Sequence, residues 1–320
     1  PVTSAFSVRY NSVLNLWRPG DMDRLRHAVA ASLREFQRRA WQDRAQRPGG
    51  SERRRAREHA GGLSRAAAAE LYASVDILRS LAYIDRQDEL TVRGHLLRSI
   101  FHPAGMILVE LLLGGALDEL GPAEVAEVVS WFTYDSSDRT LRNLYTLPQR
   151  LVEARRAVWR AQRLVQDLEF QQGVALSPGT VESFHSVALN WWRGATLSSL
   201  LRRIELAEGD LLVALNQTID LIQQVQSAVG QAVDARGLWP RATSGSQYDR
   251  WLEETRERLA RLRPALAQAW QGMLRGSVAM SRAIPSMATP VAADAVPALP
   301  MAEDEDPAEV RQDRIEQPDT

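Results

Sequence analysis

Two long segments with an apolar residue at every third or fourth position constrain this sequence most. In residues 147–168 the apolar or small positions are Leu147, Leu151, Ala154, Val158, Ala161, Val165 and Leu168. In the segment that opens with Glu208-Gly209-Asp210 they are Leu211, Leu215, Ile219, Ile222 and Val225. This spacing places each set on one side of an α-helix. The sequence therefore predicts long helices that bury these sides in a common core.

The opposite faces of the two predicted helices differ in chemistry. On the first helix Arg156, Arg160 and Arg163 follow at i, i+4 and i+7, which gives a basic face. Such a face either meets only solvent or forms a wall that faces nucleic acid. On the second helix the exposed positions are Asn216, Gln217, Asp220, Gln223 and Gln224. This second face is polar but carries a single charge.

A shorter helical segment covers residues 184–192, between the two long helices. Gly194 suits the left-handed position that ends many helices, and Thr196 is a typical first capping residue for the next one. Trp191 and Trp192 point about 100° apart on a helix. We expect at least one of them to lie in the core, although both could offer stacking surfaces to bases.

Residues 71–97 show a different pattern. A helix that contains Val75, Ile77 and Leu78 leads into residues 81–85, a polar turn at 86–89, and a second short apolar run at 90–92. Helix, strand, turn and strand is the outline of a winged-helix element with a short β-wing. A wing of this kind either touches nucleic acid or separates two domains.

Charge is distributed unevenly along the chain. Residues 44–65 combine an arginine run with several glycines, which predicts a flexible basic linker. Residues 286–320 carry nine acidic residues against two arginines and contain no aromatic residue. This composition is typical of a disordered segment. We expect the acidic tail either to aid solubility or to compete with nucleic acid for the basic remainder of the chain.

Residue types that are missing exclude several kinds of chemistry. The chain has no cysteine, and all 39 of its basic side chains are arginine. Without lysine it can form neither the Gly-Lys-Ser/Thr phosphate loop nor a Schiff base. Without cysteine it has no disulfide, thiolate nucleophile or cysteine-ligated metal. Since no apolar run reaches 18 residues and no signal pattern opens the chain, we expect a cytoplasmic location, or a plastid if a transit segment is missing.

Several strings, in order along the chain, resemble the C-terminal part of Ski-type, exosome-associated DExH-box RNA helicases and of their bacterial and plastid relatives. The segment at 83–94 is similar to that family's winged-helix wing, and the residues from 108 to 134 are similar to the start of its helical DSHCT domain. Trp191-Trp192-Arg193-Gly194-Ala195-Thr196 and Glu208-Gly209-Asp210-Leu211 match later parts of the same domain. Residues 10–16 and 36–37 resemble the segment that leaves the second RecA-like domain.

The resemblance implies a mainly α fold, in which a winged-helix element precedes a helical bundle whose "ratchet" helix lines the exit path of RNA. The expected layout is 1–43 as the segment leaving a RecA-like domain, 44–65 as linker, 66–100 as winged-helix element, 101–285 as DSHCT-like bundle and 286–320 as disordered acidic tail. The helix from Glu208 corresponds to the ratchet. Family members often carry arginines where this chain has Asn216 and Gln217, whereas the acid at Asp220 is retained.

The function implied by the resemblance is to guide RNA for an ATP-dependent helicase. Gly-Lys-Thr, Asp-Glu-x-His and Gln-x-x-Gly-Arg-x-Gly-Arg do not occur in the chain, so we expect no ATPase activity and no cofactor here. ATP and Mg²⁺ would belong to a motor upstream or on another polypeptide. The expected partners are single-stranded RNA, the RecA-like domains, and RNA-decay or ribosome-associated proteins, with no membrane. The candidate RNA contacts are Arg86, Arg93, Arg156, Arg160, Arg163, Gln217, Asp220 and Gln224.

Two other functions stay open at this stage. A helical bundle can act as a protein-interaction scaffold without binding RNA itself, and the low positive charge of the ratchet face favours that alternative. An independent enzyme would draw on the histidines His27, His59, His95, His102 and His185. No two of them stand in a His-x-x-x-His pattern, so we expect neither catalytic nor metal-binding residues.

Overall fold

The computed structural model describes residues 8–31, 64–134, 145–180, 184–239 and 246–283. This part of the chain is mainly α-helical, as the sequence predicts. The helices are α1 (Tyr10–Leu16), α2 (Met22–Ala30), α3 (Arg65–Ser80), α4 (Val92–Arg98), α5 (Gly105–Leu113), α6 (Pro122–Ser130), α7 (Gln149–Gln171), α8 (Val187–Trp192), α9 (Leu197–Leu201), α10 (Glu208–Asp234) and α11 (Gln247–Ala283). A 3-10 turn, Arg236–Leu238, follows α10.

The centre of the bundle is α5, whose residues are apolar on every side. All nine of them except Glu110 are buried, which is typical of a helix surrounded by others. Helix α5 contacts α7 on one side and α4 on another, while α10 packs against α4 and α6. The apolar stripes of α7 and α10 therefore meet a shared core. None of the described helices combines the length and apolar character that crossing a membrane requires.

The predictions for the two long helices are confirmed. Helix α7 covers most of the predicted segment, and its stripe from Leu151 to Val165 is buried. Helix α10 begins at Glu208, where its first turn carries the two acids expected at the positive end of the helix dipole. Its stripe is buried, and Asn216, Gln217, Asp220 and Gln223 are exposed.

The predictions of two wing strands, at residues 81–85 and 90–92, are both wrong. Ile84 and Leu90 form an isolated antiparallel bridge, and Val92 is already the first residue of α4. Thr91 explains the difference, because its hydroxyl caps α4 at Gly94 N and also donates to Ala82 O at 2.6 Å. A three-residue apolar run is too short to separate a strand from a helix start. The winged-helix assignment of this region stays a prediction.

Buried Glu127 of α6 fixes the start of α8. Its carboxylate accepts hydrogen bonds from the backbone N–H groups of Ser186 and Leu189, the latter at 2.8 Å, and from Trp131 Nε1 at 2.8 Å. Ser186 has φ +60° and precedes the helix, which therefore begins at Val187 and not at the predicted residue 184. Burial raises the pKa of Glu127, and the three hydrogen bonds oppose that rise.

The expected roles of Trp191, Gly194 and Thr196 are confirmed. Trp191 is buried and its Nε1 donates to Met273 O at 3.2 Å, while Trp192 is half-buried against α11. Gly194 has φ +96° just after α8, a conformation that side chains disfavour. The Thr196 hydroxyl caps α9 at Ser199 N.

Parts of the predicted layout lie outside the described residues. These parts are residues 1–7 and 32–43 of the predicted first segment, which include 36–37, residues 44–63 of the basic linker, and the whole acidic tail at 286–320. At the end of the predicted linker, Ser64 caps α3 and Arg65 is its first residue.

Candidate nucleic-acid interface

A cleft of about 800 Å³ runs along the exposed face of α10. Gln217, Asp220 and Gln224 of α10 line it, together with the loop at 175–180 and residues 132–134. Three of the predicted RNA contacts therefore lie together on one side of a single cleft. They do so because they are three to four residues apart on one helix.

Thr133, which lines this cleft, is joined to α10 by buried hydrogen bonds. The hydroxyls of Thr133 and Thr218 lie 2.8 Å apart, and Thr218 also donates to Ala214 O at 2.7 Å. The ring of Tyr134 stacks on Phe184 with their centroids 5.0 Å apart. These contacts hold Thr133 against α10 and Tyr134 against Phe184.

Phe101 is an exposed aromatic residue at the edge of the cleft. Its side chain is 59% exposed, while its backbone N–H donates to Gln224 Oε1 at 2.7 Å. The same residue also borders a second, smaller cleft of about 430 Å³ that continues along α10 towards Gln231. An exposed aromatic ring beside amide side chains can stack a base. Sequence reasoning missed this residue because Phe101 lies between helices and outside any periodic pattern.

The cleft carries little charge. His102 lines it, and the pKa of this histidine falls to about 4, because the ring is buried and because the charge of Arg9 is near. Its Nδ1 accepts a hydrogen bond from Ala104 N at 3.1 Å. Among the described residues that line the cleft, Asp220 is the one acidic residue, and none is an arginine. This surface favours contacts with base edges and rings over contacts with phosphates.

Glu169 holds the loop at 175–180, which also lines the cleft. Its carboxylate accepts hydrogen bonds from the backbone N–H groups of Leu176 and Ser177 at 3.0 and 3.2 Å, and from the Tyr10 hydroxyl at 2.9 Å. Burial, followed by the negative charge of Glu169, raises the pKa of Tyr10 far above its usual value. Further along, the Thr180 hydroxyl donates to Gln162 Oε1 of α7 at 3.3 Å.

The predicted basic face on α7 also exists. Arg156, Arg160 and Arg163 are exposed. Together with Trp159 and Gln162 they line a shallow depression with a volume of about 530 Å³. Within the described ranges, none of the three arginines forms an ion pair. Trp159 was missed in the sequence because a tryptophan on an amphipathic helix usually belongs to the core.

The two predicted contacts near the bridge lie apart from each other. Arg86 is exposed in the turn between Ile84 and Leu90. Arg93 is half-buried, and its guanidinium forms an ion pair with Glu110. The Glu110 carboxylate also accepts a hydrogen bond from the Tyr83 hydroxyl at 2.8 Å. An RNA contact by either arginine stays a prediction, and Arg93 would have to leave Glu110 to make one.

The histidines do not gather into a site in the part of the chain that the structure describes. His27 Nδ1 lies 2.7 Å from Asp23 O, and His185 Nε2 lies 3.1 Å from Tyr145 O. His59 lies outside the described residues. No group of three or more potential metal ligands occurs among the residues described.

This helical bundle with a cleft along one long helix is similar to a known domain. Residues 87–237, which include α4 to α10, match the model of the DSHCT (NUC185) domain. "mRNA transport homolog 4" of Caenorhabditis elegans is 22% identical over 190 residues, which cover 58% of this chain and 17% of the relative. "ATP-dependent RNA helicase mtr4" of Schizosaccharomyces pombe is 23% identical over 166 residues, 50% of this chain and 14% of the relative.

These similarities support a relation between this chain and the C-terminal region of DExH-box RNA helicases. The chain spans less than a fifth of the length of either relative.

Proposed function

We propose that this chain is the C-terminal module that guides single-stranded RNA for an ATP-dependent DExH-box helicase of the bacterial or plastid-like branch. RNA leaving RecA-like domains would pass along the exposed face of α10, and ATP hydrolysis would take place in those domains. RNA processing or decay is the activity that such a module would serve, with RNA-decay or ribosome-associated proteins as further partners.

The observation that carries this proposal is the cleft along α10. Its volume of about 800 Å³ exceeds what a single side chain would fill. The amides of Gln217 and Gln224 can each donate and accept hydrogen bonds, and the Asp220 carboxylate can accept them from base amino groups. Phe101 adds an exposed ring for stacking. This combination suits unpaired bases, because the base edges of a duplex are already paired.

A protein-interaction scaffold is the second candidate. The low charge of the cleft favours it, since nonspecific RNA binding depends mainly on neutralising phosphates. A scaffold would capture protein partners and would not bind RNA by itself.

Fluorescence anisotropy with labelled RNA separates the two candidates. The purified chain would be titrated into single-stranded and duplex RNA of equal length at two salt concentrations. We expect tighter binding to the single strand, and Phe101→Ala should weaken it about fivefold or more, the usual effect of losing one stacked base. Tyr72→Ala is the matched control, because Tyr72 is an exposed aromatic residue on α3, 44% exposed and away from the cleft lining.

The result that would overturn the RNA-guiding function is equally specific. If the chain binds neither RNA at low salt, or if Phe101→Ala and Tyr72→Ala behave alike, the cleft does not hold a single strand. The scaffold would then be the better description.

A further inference from the structure

We propose that the exposed face of α7 is a second contact surface for the same RNA strand, on which Trp159 stacks a base while Arg156, Arg160 and Arg163 bind phosphates. This inference rests on the proposed function and adds a division of labour to it. The cleft along α10, which carries little net charge, would contact the bases. The α7 face would supply the salt-dependent part of the affinity.

Trp159 is positioned as a stacking platform. Its side chain is 44% exposed, although the ring contacts Arg155, whose guanidinium carbon lies 5.7 Å from the ring centroid. Arg155 is itself buried and also lies 5.0 Å over the buried ring of Trp131. The tryptophan is therefore supported from within the bundle while much of its surface remains open. A supported, exposed ring binds bases without losing much side-chain freedom.

The arginines around Trp159 form one open line of charge. Arg156, Arg160 and Arg163 follow at i, i+4 and i+7 and so extend over about 10 Å of the helix axis. The acids next to them on α7 are Glu153, which shares a shallow depression with Arg160, and Asp167, one turn beyond Arg163. Neither acid forms an ion pair with these arginines within the described residues.

Other arginines of the bundle are used differently. Several of them are paired with acids of the same chain, namely Arg79 with Asp88, Arg93 with Glu110, Arg258 with Asp118 and Arg263 with Asp234. Those pairs connect neighbouring elements of the fold. Within the part of the chain that the structure describes, Arg156, Arg160 and Arg163 form no such pair. Three planar guanidinium groups on one face suit successive phosphates.

The α7 face is continuous with the cleft. Thr180 lines the cleft, and its hydroxyl donates to Gln162, which lines the α7 face. The two surfaces thus meet at a single hydrogen-bonded pair. A strand that leaves the cleft over the loop at 175–180 would reach the arginines directly. RNA fits this arrangement better than an acidic peptide, because it offers a base for Trp159 as well as phosphates for the arginines.

The salt dependence of RNA affinity tests this division of labour in the full chain. For a single strand, each phosphate that is neutralised contributes about −0.7 to the slope of log K against log salt. Arg160→Gln with Arg163→Gln should therefore make the slope shallower by about 1.4. Trp159→Ala should weaken binding about fivefold or more with an unchanged slope, and Trp159→Phe should retain most of the affinity.

Two controls accompany these variants. Arg250→Gln with Arg256→Gln removes the same net charge from exposed positions on α11 and should leave the slope nearly as it is. Phe101→Ala should lower the affinity without changing the slope, because the cleft contacts the bases of the RNA and not its phosphates. Circular dichroism would verify that each variant keeps its helical content.

The outcomes separate this inference from the proposed function. If Phe101→Ala weakens binding but the α7 variants match the α11 control, the cleft binds RNA and the α7 face does not. If polyglutamate competes with RNA as well as an unlabelled strand of equal charge, and Trp159→Ala changes nothing, the face recognises acidic peptide and the inference is overturned. If the parent chain binds no RNA at low salt, the proposed function itself fails.

Discussion

The indole of Trp192 lies directly against the backbone of Gly272. A Cβ placed on Gly272 would be 1.9 Å from Trp192 Nε1, and that same N–H donates to Gln268 O at 3.2 Å. The contact joins the end of α8 to α11 and depends on the absence of a side chain at position 272.

We expect Gly272→Ala to lower the free energy of unfolding by about 1–3 kcal/mol, because the ring must move out of a packed site. Urea denaturation of the full chain would measure it. Gly230→Ala on α10 is the matched control, since its nearest neighbour, Arg263 Nη2, is 3.9 Å from the added Cβ. There the better helix propensity of alanine should stabilise the protein by up to about 1 kcal/mol. Equal effects of the two changes would contradict the packing argument.

Gly94 supports the turn that carries Arg86. A Cβ at this position would be 2.4 Å from Tyr83 O, and this oxygen accepts the Thr91 N–H at 3.1 Å. We expect Gly94→Ala to displace the backbone of this turn and to lower the free energy of unfolding by about 1–3 kcal/mol. Hydrogen exchange at the Thr91 amide should become faster than in the parent. Unchanged exchange there would show that the turn does not depend on Gly94.

His102 should make the protein less stable in mild acid. Its pKa falls from 6.5 to about 4 because of burial and, second, the charge of Arg9. The folded protein therefore binds this proton less readily than the unfolded chain, so the His102 contribution to the free energy of unfolding rises with pH between about 4 and 6.5. His102→Gln should remove that part of the pH dependence. An NMR titration of the parent that places the pKa of His102 near 6.5 would contradict the prediction.

Glu127 should act in the opposite direction. Burial raises its pKa above 4.5, so the folded protein holds this proton more readily than the unfolded chain. Its contribution to the free energy of unfolding therefore falls as the pH rises from about 4.5 through the raised pKa. In Glu127→Gln this pH dependence is absent. As the pH rises over that range, the free energy of unfolding of the variant should therefore increase relative to that of the parent, which denaturation curves of both proteins would measure. If the difference in free energy of unfolding between the two proteins stays constant from acid to neutral pH, the prediction is refuted.

The helices themselves were predictable where their pattern is long. Leu151 to Val165 and Leu211 to Val225 repeat over four or more turns, and no strand could place such residues on one side. Predictions failed where the pattern was short, as at Val92, where a cap by Thr91 decided between a strand and a helix. The candidate site was predictable in part, because Gln217, Asp220 and Gln224 share one helix face.

The sequence by itself determined which residues face inward on α7 and α10, since helix periodicity is a local property of the chain. Only the tertiary structure decided what lies opposite their outer faces. It placed Phe101 beside Gln224, 123 residues further along the chain, and joined Thr180 of the cleft to Gln162 of the basic face. Such neighbours depend on how buried surfaces pack across the bundle, and no local spacing encodes that packing.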